Sequence, residues 1–137
     1  MSVAQSKILA AQPLPAGEAH PYFAARLRHE TDSSDVWHDI QNDVKGFAVI
    51  DPRGPEAYAE AHIPGAVNMP HASIDKEAAA QLDPDVTYVV YGWNPGCNAG
   101  TKAAAKLTEH GISAKELIGG IQYWRSESLP VESSESS

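Results

Sequence analysis

Thr87-Tyr88-Val89-Val90-Tyr91-Gly92-Trp93-Asn94-Pro95-Gly96-Cys97-Asn98, followed by Ala99-Gly100-Thr101-Lys102-Ala103-Ala104-Ala105-Lys106-Leu107, decides the fold. Tyr88 to Tyr91 is a short β-branched and aromatic run bounded by breakers, the pattern of a strand covered on both faces. Asn94-Pro95-Gly96 interrupts regular structure. Asn98 is a fair N-cap and Ala103 to Leu107 are good helix formers, so the loop leads into a helix. Strand, Gly-rich loop and helix start in this order make an anion cradle. First-turn N–H groups lack intrahelical partners, and the helix dipole favours negative charge there. The single cysteine of the chain, Cys97, stands in that loop. A thiol just ahead of an N-cap has its thiolate favoured, which makes it a better nucleophile. The competing reading is a small buried apolar residue, and the polar, Gly-rich neighbours of Cys97 argue against it.

Upstream, Gly46 to Asp51 is another nearly continuous apolar strand, closed by Asp-Pro. Glu56 to Ala61 reads as a short helix after Gly54-Pro55. His62-Ile63-Pro64-Gly65-Ala66 reads as a turn into a brief strand over residues 67–69, and Asp75 to Leu82 as another helical piece. Nearer the N-terminus, the sequence predicts a helix from Gly17, with Pro21 in its first turn and Tyr22, Phe23 and Leu27 as an apolar stripe. The capping stretch Thr31-Asp32-Ser33-Ser34 then opens a second helix, Asp35 to Asn42, packing Val36, Trp37 and Ile40 inward. Downstream, His110-Gly111 is a C-cap and Ser113 to Leu117 a further strand. Gly119-Gly120 turns tightly into a last helix with Ile121 and Trp124 on one face. Strands alternating with helices at this spacing specify an α/β domain with a mainly parallel sheet. Sites in such sheets form at the carboxyl ends of the strands, where Asp51 and Gly92 fall.

A single domain over residues 17–128 is expected, preceded by a mobile tail (1–16) and followed by an acidic, serine-rich disordered tail (129–137). The net charge of −8 argues against nucleic acid or an anionic membrane surface as partner. One cysteine excludes an internal disulfide framework, and the apolar run at residues 8–11 is too short for a secretory signal, so cytoplasm is the default. A nucleotide-binding P-loop needs Gly-Lys-Ser/Thr after four spacer residues, whereas three residues separate Gly96 from Gly100 and Thr101-Lys102 follows. A Cys-five residues-Arg phosphatase needs arginine where Ala103 stands, and Lys102 lacks the bidentate grip. The histidines show no pair at metal-ligand spacing. His62, beside Pro64-Gly65, reads as a turn-bracing hydrogen bonder. No metal or cofactor is expected.

Three segments together resemble one family. Phe47 to Tyr58 with Ala61 to Pro70 is similar to the paired signature of rhodanese-like domains, Tyr88 to Tyr91 with its loop to their active-site strand and cradle, and Ile118 to Trp124 to their C-terminal signature. Tyr91 to Asn98 with Thr101 to Ala104 resembles a bacterial single-domain subgroup that usually reads Tyr-Cys-x-Gly-Pro-x-Cys-Asn. The resemblance implies a parallel sheet with helices on both faces. It also implies transfer of sulfane sulfur from a thiosulfate-type anion to a thiol acceptor through a cysteine persulfide. A negatively charged outer sulfur suits a ring of N–H donors. The loop residues carried over are Gly92, Trp93, Asn94, Gly96, Cys97, Asn98, Ala99, Gly100, Thr101 and Lys102, with Asp51 and Arg53 in support.

The chain departs from the pattern at its centre. The family's catalytic cysteine directly follows the strand, where this chain has Gly92, and only Cys97 remains. Three readings stay open: Cys97 has become the persulfide carrier; the domain is a catalytically inactive binding module; or Cys97 is a redox-sensitive thiol that tunes a partner. Arg53 is expected to pair with Glu56 across the strand-to-helix turn, with Asp51 ordering that edge. Gly119-Gly120 is expected to let the backbone approach the central loop, and Trp124 to lie in the core. A homodimer through the Tyr22 helix is compatible with this reading.

Overall fold

The computed structural model describes residues 3–134. Helices and strands alternate as the composition of the segments dictates: α1 (Ala16–His29), β1 (Glu30–Thr31), α2 (Ser33–Gln41), β2 (Phe47–Asp51), α3 (Pro55–Glu60) and β3 (Val67–Asn68) come first. A 3₁₀ turn (His71–Ser73), α4 (Lys76–Ala80), β4 (Thr87–Val90), α5 (Ala99–Glu109), β5 (Ala114–Leu117) and α6 (Gly120–Ser126) complete the order. The strands form one sheet in the order β1-β5-β4-β2-β3, parallel at every pairing. The α/β class with a parallel sheet is therefore as the sequence predicts.

Successive strand residues point to opposite faces, and each face has its own core. Val49, Val89, Tyr91 and Leu117 pack with Val36 of α2 and Ile121 and Trp124 of α6. Ile50, Tyr88 and Val90 pack on the other side with Ala79 of α4 and Ala103 and Leu107 of α5. Helices thus cover both faces, which is why β2 and β4 read as almost unbroken apolar runs. Trp37 meets Trp124 edge-on, ring centroids 6.0 Å apart, and Trp124 is fully buried as expected.

Three expectations need correction. First, β1 spans the end of the expected first helix (Glu30) and the start of the expected capping stretch (Thr31): Glu30 pairs with Glu116 and Thr31 with Leu117, and only Asp32 caps α2, accepting from the Asp35 N–H. Second, α1 buries none of its residues, and its apolar stripe is exposed, with Tyr22 at 62%, Phe23 at 57% and Leu27 at 76%. The helix leads into an edge strand, so no second layer lies over that stripe. Third, residues 129–134 are not a loose tail. The His62 N–H donates to the Glu132 carbonyl at 2.9 Å and the Glu132 N–H returns the bond at 2.8 Å, an isolated antiparallel bridge. The Gly65 N–H donates to Glu132 Oε1 (2.8 Å) and Trp124 Nε1 donates to the Pro130 carbonyl (2.8 Å). Leu129 and Val131 pack on the core. The composition is polar, yet two apolar residues and these hydrogen bonds together tie the segment down. Residues 135–137 of that expected tail, and 1–2 of the N-terminal one, lie outside the described residues.

Candidate functional site

The carboxyl ends of β2 and β4 meet in a buried polar knot. Asp51 is inaccessible to solvent, and the Arg53 side chain is nearly so. Burial of a charge demands a partner. Arg53 finds it in Asp51: its backbone N–H reaches Oδ1 at 3.0 Å, its Nε reaches Oδ1 at 2.9 Å and a terminal nitrogen reaches Oδ2 at 2.6 Å. The same nitrogen donates to the Ala61 carbonyl at 2.6 Å. The expected Arg53–Glu56 pair does not form, because Glu56 is exposed on α3 while the guanidinium turns into the protein. The Tyr91 hydroxyl donates to Asp51 Oδ2 (2.7 Å) and accepts from the Ile63 N–H (3.2 Å). Burial first, and then the Asp51 carboxylate, push its pKa far above the ordinary tyrosine value. Burial works against the charge on Arg53, but its bonds and attraction to Asp51 more than offset that, and its pKa stays above the usual arginine value. Asp51 and Arg53 therefore lie behind the site as its scaffold.

The turn at residues 62–66 completes this edge. His62 is buried, stacks on Tyr58 with centroids 3.8 Å apart and has Nδ1 2.7 Å from the Tyr58 carbonyl. The bracing role expected of His62 is what the geometry has. Gly65 adopts φ +81° and the Ala66 N–H closes the turn on the Ile63 carbonyl at 2.9 Å.

Beyond Tyr91 the loop folds back on itself. The Asn94 side chain accepts from the Gly96 N–H (2.9 Å) and the Asn94 carbonyl from the Cys97 N–H (2.9 Å). The turn into α6 supports it from below: the Ile121 N–H donates to the Gly92 carbonyl (3.0 Å) and the Gln122 N–H to the Trp93 carbonyl (2.8 Å). This close approach requires glycine at 120. A Cβ there would lie 2.5 Å from the Gly92 oxygen and 2.7 Å from the Trp93 carbonyl carbon, at a backbone φ of +67°. Gly120→Ala combines left-handed strain with a backbone clash and is expected to cost about 3 kcal/mol, read as a lowered urea midpoint.

Cys97 is half-buried, and its sulfur reaches back toward the end of β4. A Cβ built on Gly92 would stand 3.0 Å from Cys97 Sγ and 3.0 Å from its carbonyl oxygen. Here the missing side chain of Gly92 makes room for the thiol. A cavity of about 260 Å³ opens over it, lined by Gly92, Asn94, Pro95, Gly96, Cys97, Asn98 and Thr101 and, across from them, by residues 116–120. Ala99 and Gly100 are buried in the first turn of α5, where Gly100 sits against the backbone of Tyr91. Trp93, 46% exposed, and Lys102 do not line the cavity. Asn98 caps α5 without a side-chain hydrogen bond, in contrast to Asp32 on α2 and Asp75 on α4.

Sequence reasoning missed Glu116. It lies in β5 opposite Val90 of β4, and its Oε1 accepts from the Thr101 hydroxyl at 2.6 Å. The neighbour relation of β5 and β4 put it there, and strand order leaves no trace in the local pattern. Among the described residues, no three His, Cys, Asp or Glu side chains group as they would to hold a metal ion, and no helix is long and apolar enough to cross a membrane.

Comparison with known proteins adds an independent line. The family model of the rhodanese-like domain matches residues 34–127. The chain is 37% identical over 93 residues to thiosulfate sulfurtransferase GlpE of Pseudomonas fluorescens, covering 66% of this chain and 81% of that protein. It is 33% identical over 84 residues to an HTH-type transcriptional regulator of Mycobacterium tuberculosis, covering 61% of this chain but only 37% of the regulator. A crystal structure of a protein from Bacillus halodurans superposes with a TM-score of 0.84 at 41% identity over 88% of both chains.

Proposed function

The chain belongs to the rhodanese-like domain family, and on that premise we propose that it transfers sulfane sulfur through a persulfide on Cys97. One observation carries the reading. The Cys97 sulfur sits 3.0 Å from where a side chain on Gly92 would begin, the position at which the family pattern has its cysteine. A nucleophile from five residues further along the loop thus reaches the vacated place.

The chemistry follows from the surroundings. The Cys97 thiolate attacks the sulfane sulfur of a donor such as thiosulfate, the substrate in the names of the Pseudomonas relatives. The donor S–S bond breaks and sulfite leaves with the electron pair. An acceptor thiolate then attacks the outer sulfur of the persulfide, and the electron pair of that S–S bond returns to Cys97 Sγ. The Gly96 and Cys97 N–H groups are already engaged by Asn94, so the anion cradle narrows to the uncapped first turn of α5, Asn98 to Thr101. Lys102, outside the cavity, acts at most through its long-range charge.

A second reading, favoured by Gly92 itself, is a catalytically inactive module that binds an anion, a small ligand or a protein. Intact-mass analysis after incubation with thiosulfate separates the two. Sulfur transfer requires a gain of one sulfur atom on the native chain, released by cyanide. No gain on the native chain, with gain on Gly92→Cys/Cys97→Ala, means a cradle that has lost its nucleophile. The second substitution is needed because the Cys97 sulfur otherwise obstructs a side chain at 92.

A further inference from the structure

We infer that the exchange partner of Cys97 is a small thiol carrying a positive charge, selected by Glu116; this rests on the persulfide reading above. The cavity over Cys97 contains two ionisable side chains, Cys97 and Glu116, and neither lysine nor arginine lines it. Thr101 occupies Glu116 Oε1 at 2.6 Å. No salt bridge reaches this carboxylate among the described residues. The carboxylate is held over the start of α5, where Oε1 lies 3.4 Å from the position of a Cβ on Gly100.

A small reactant whose sulfur meets Cys97 places its neighbouring atoms in the open cavity beside this carboxylate. An ammonium two or three carbons from the thiol answers the carboxylate there. A carboxylate at the same distance is repelled, and with no cationic side chain in the cavity only backbone amides offset that repulsion. Glu116 also slows a dianion such as thiosulfate relative to a neutral or cationic donor. In the transfer step the acceptor thiolate bonds to the outer sulfur and the Cys97 Sγ–S bond breaks. The electron pair stays on Cys97, and sulfur moves at its own oxidation level with no outside oxidant.

The test loads the native protein with inorganic polysulfide, verifies one added sulfur by mass, and follows its loss to cysteamine, 2-mercaptoethanol and 3-mercaptopropionate at matched thiolate concentrations. Glu116→Gln keeps the shape and an acceptor for Thr101 while removing the charge. The preference for cysteamine over 3-mercaptopropionate is expected to fall about ten-fold in this variant, the size expected when one carboxylate stops attracting one thiol and repelling the other. Raising the salt to about 0.5 M should erode the same preference on the native chain, which reads the effect without any variant. An equal preference in native and Glu116→Gln proteins, or one indifferent to salt, overturns the assignment. Failure to load any sulfur instead overturns the persulfide reading, and this inference with it, at a separate and earlier step.

Discussion

Cys97→Ser is expected to gain no sulfur from thiosulfate and to lose more than about a thousand-fold in transfer rate, because no second atom can carry the intermediate. Thr101 and Glu116 share the cavity, but oxygen nucleophiles do not form a persulfide, and the chain has no other cysteine. Serine keeps the shape of the side chain at a half-buried loop position, so the folded structure should survive with its urea midpoint changed by less than about 1 kcal/mol equivalent. The pair of readouts makes the experiment decisive. An unchanged midpoint with abolished uptake places the chemistry at Cys97. Retained transfer in the serine variant ends the proposal.

The second large effect concerns stability. Asp51→Ala removes the acceptor of four bonds from Arg53 and one from the Tyr91 hydroxyl, and leaves a guanidinium stranded in the protein. Breaking one half of a buried pair costs about 3–5 kcal/mol, a large share of the total stability of a domain of this size. Tyr91 directly precedes Gly92, so freeing its hydroxyl should also loosen the end of β4 and the position of the loop. Urea denaturation would show the loss. Asp51→Asn should fall in between, since it keeps some hydrogen bonds without the charge. An Asp51→Ala variant as stable as the native chain would show that the knot is dispensable.

The parts legible in the sequence are those whose signal is local. The apolar runs of β2 and β4, the glycine pair at 119–120 and the turn at Pro64-Gly65 each carry their instructions within a few residues. What was missed depends on burial or on neighbours remote in sequence. Glu30 and Thr31 have no strand pattern of their own and become β1 only by pairing with β5. Arg53 has acidic residues on both sides, and only burial selects Asp51 over Glu56. Cys97 was readable as a loop thiol, but the direction of its sulfur depends on the turn that Asn94 closes. Glu116 entered the cavity through strand order alone.

The pairing of the first strand with the last also bears on how the chain is made. β1 has no partner in the sheet except β5, and His62 waits for Glu132 to complete its edge. A ribosome therefore delivers the N-terminal helix and strand long before anything exists for them to join. Strands β2 to β5 can join the sheet in order of synthesis, but β1 stays outside it until β5 has emerged. Such non-local closure slows folding and leaves the apolar β4 run unpaired on one edge until β5 arrives.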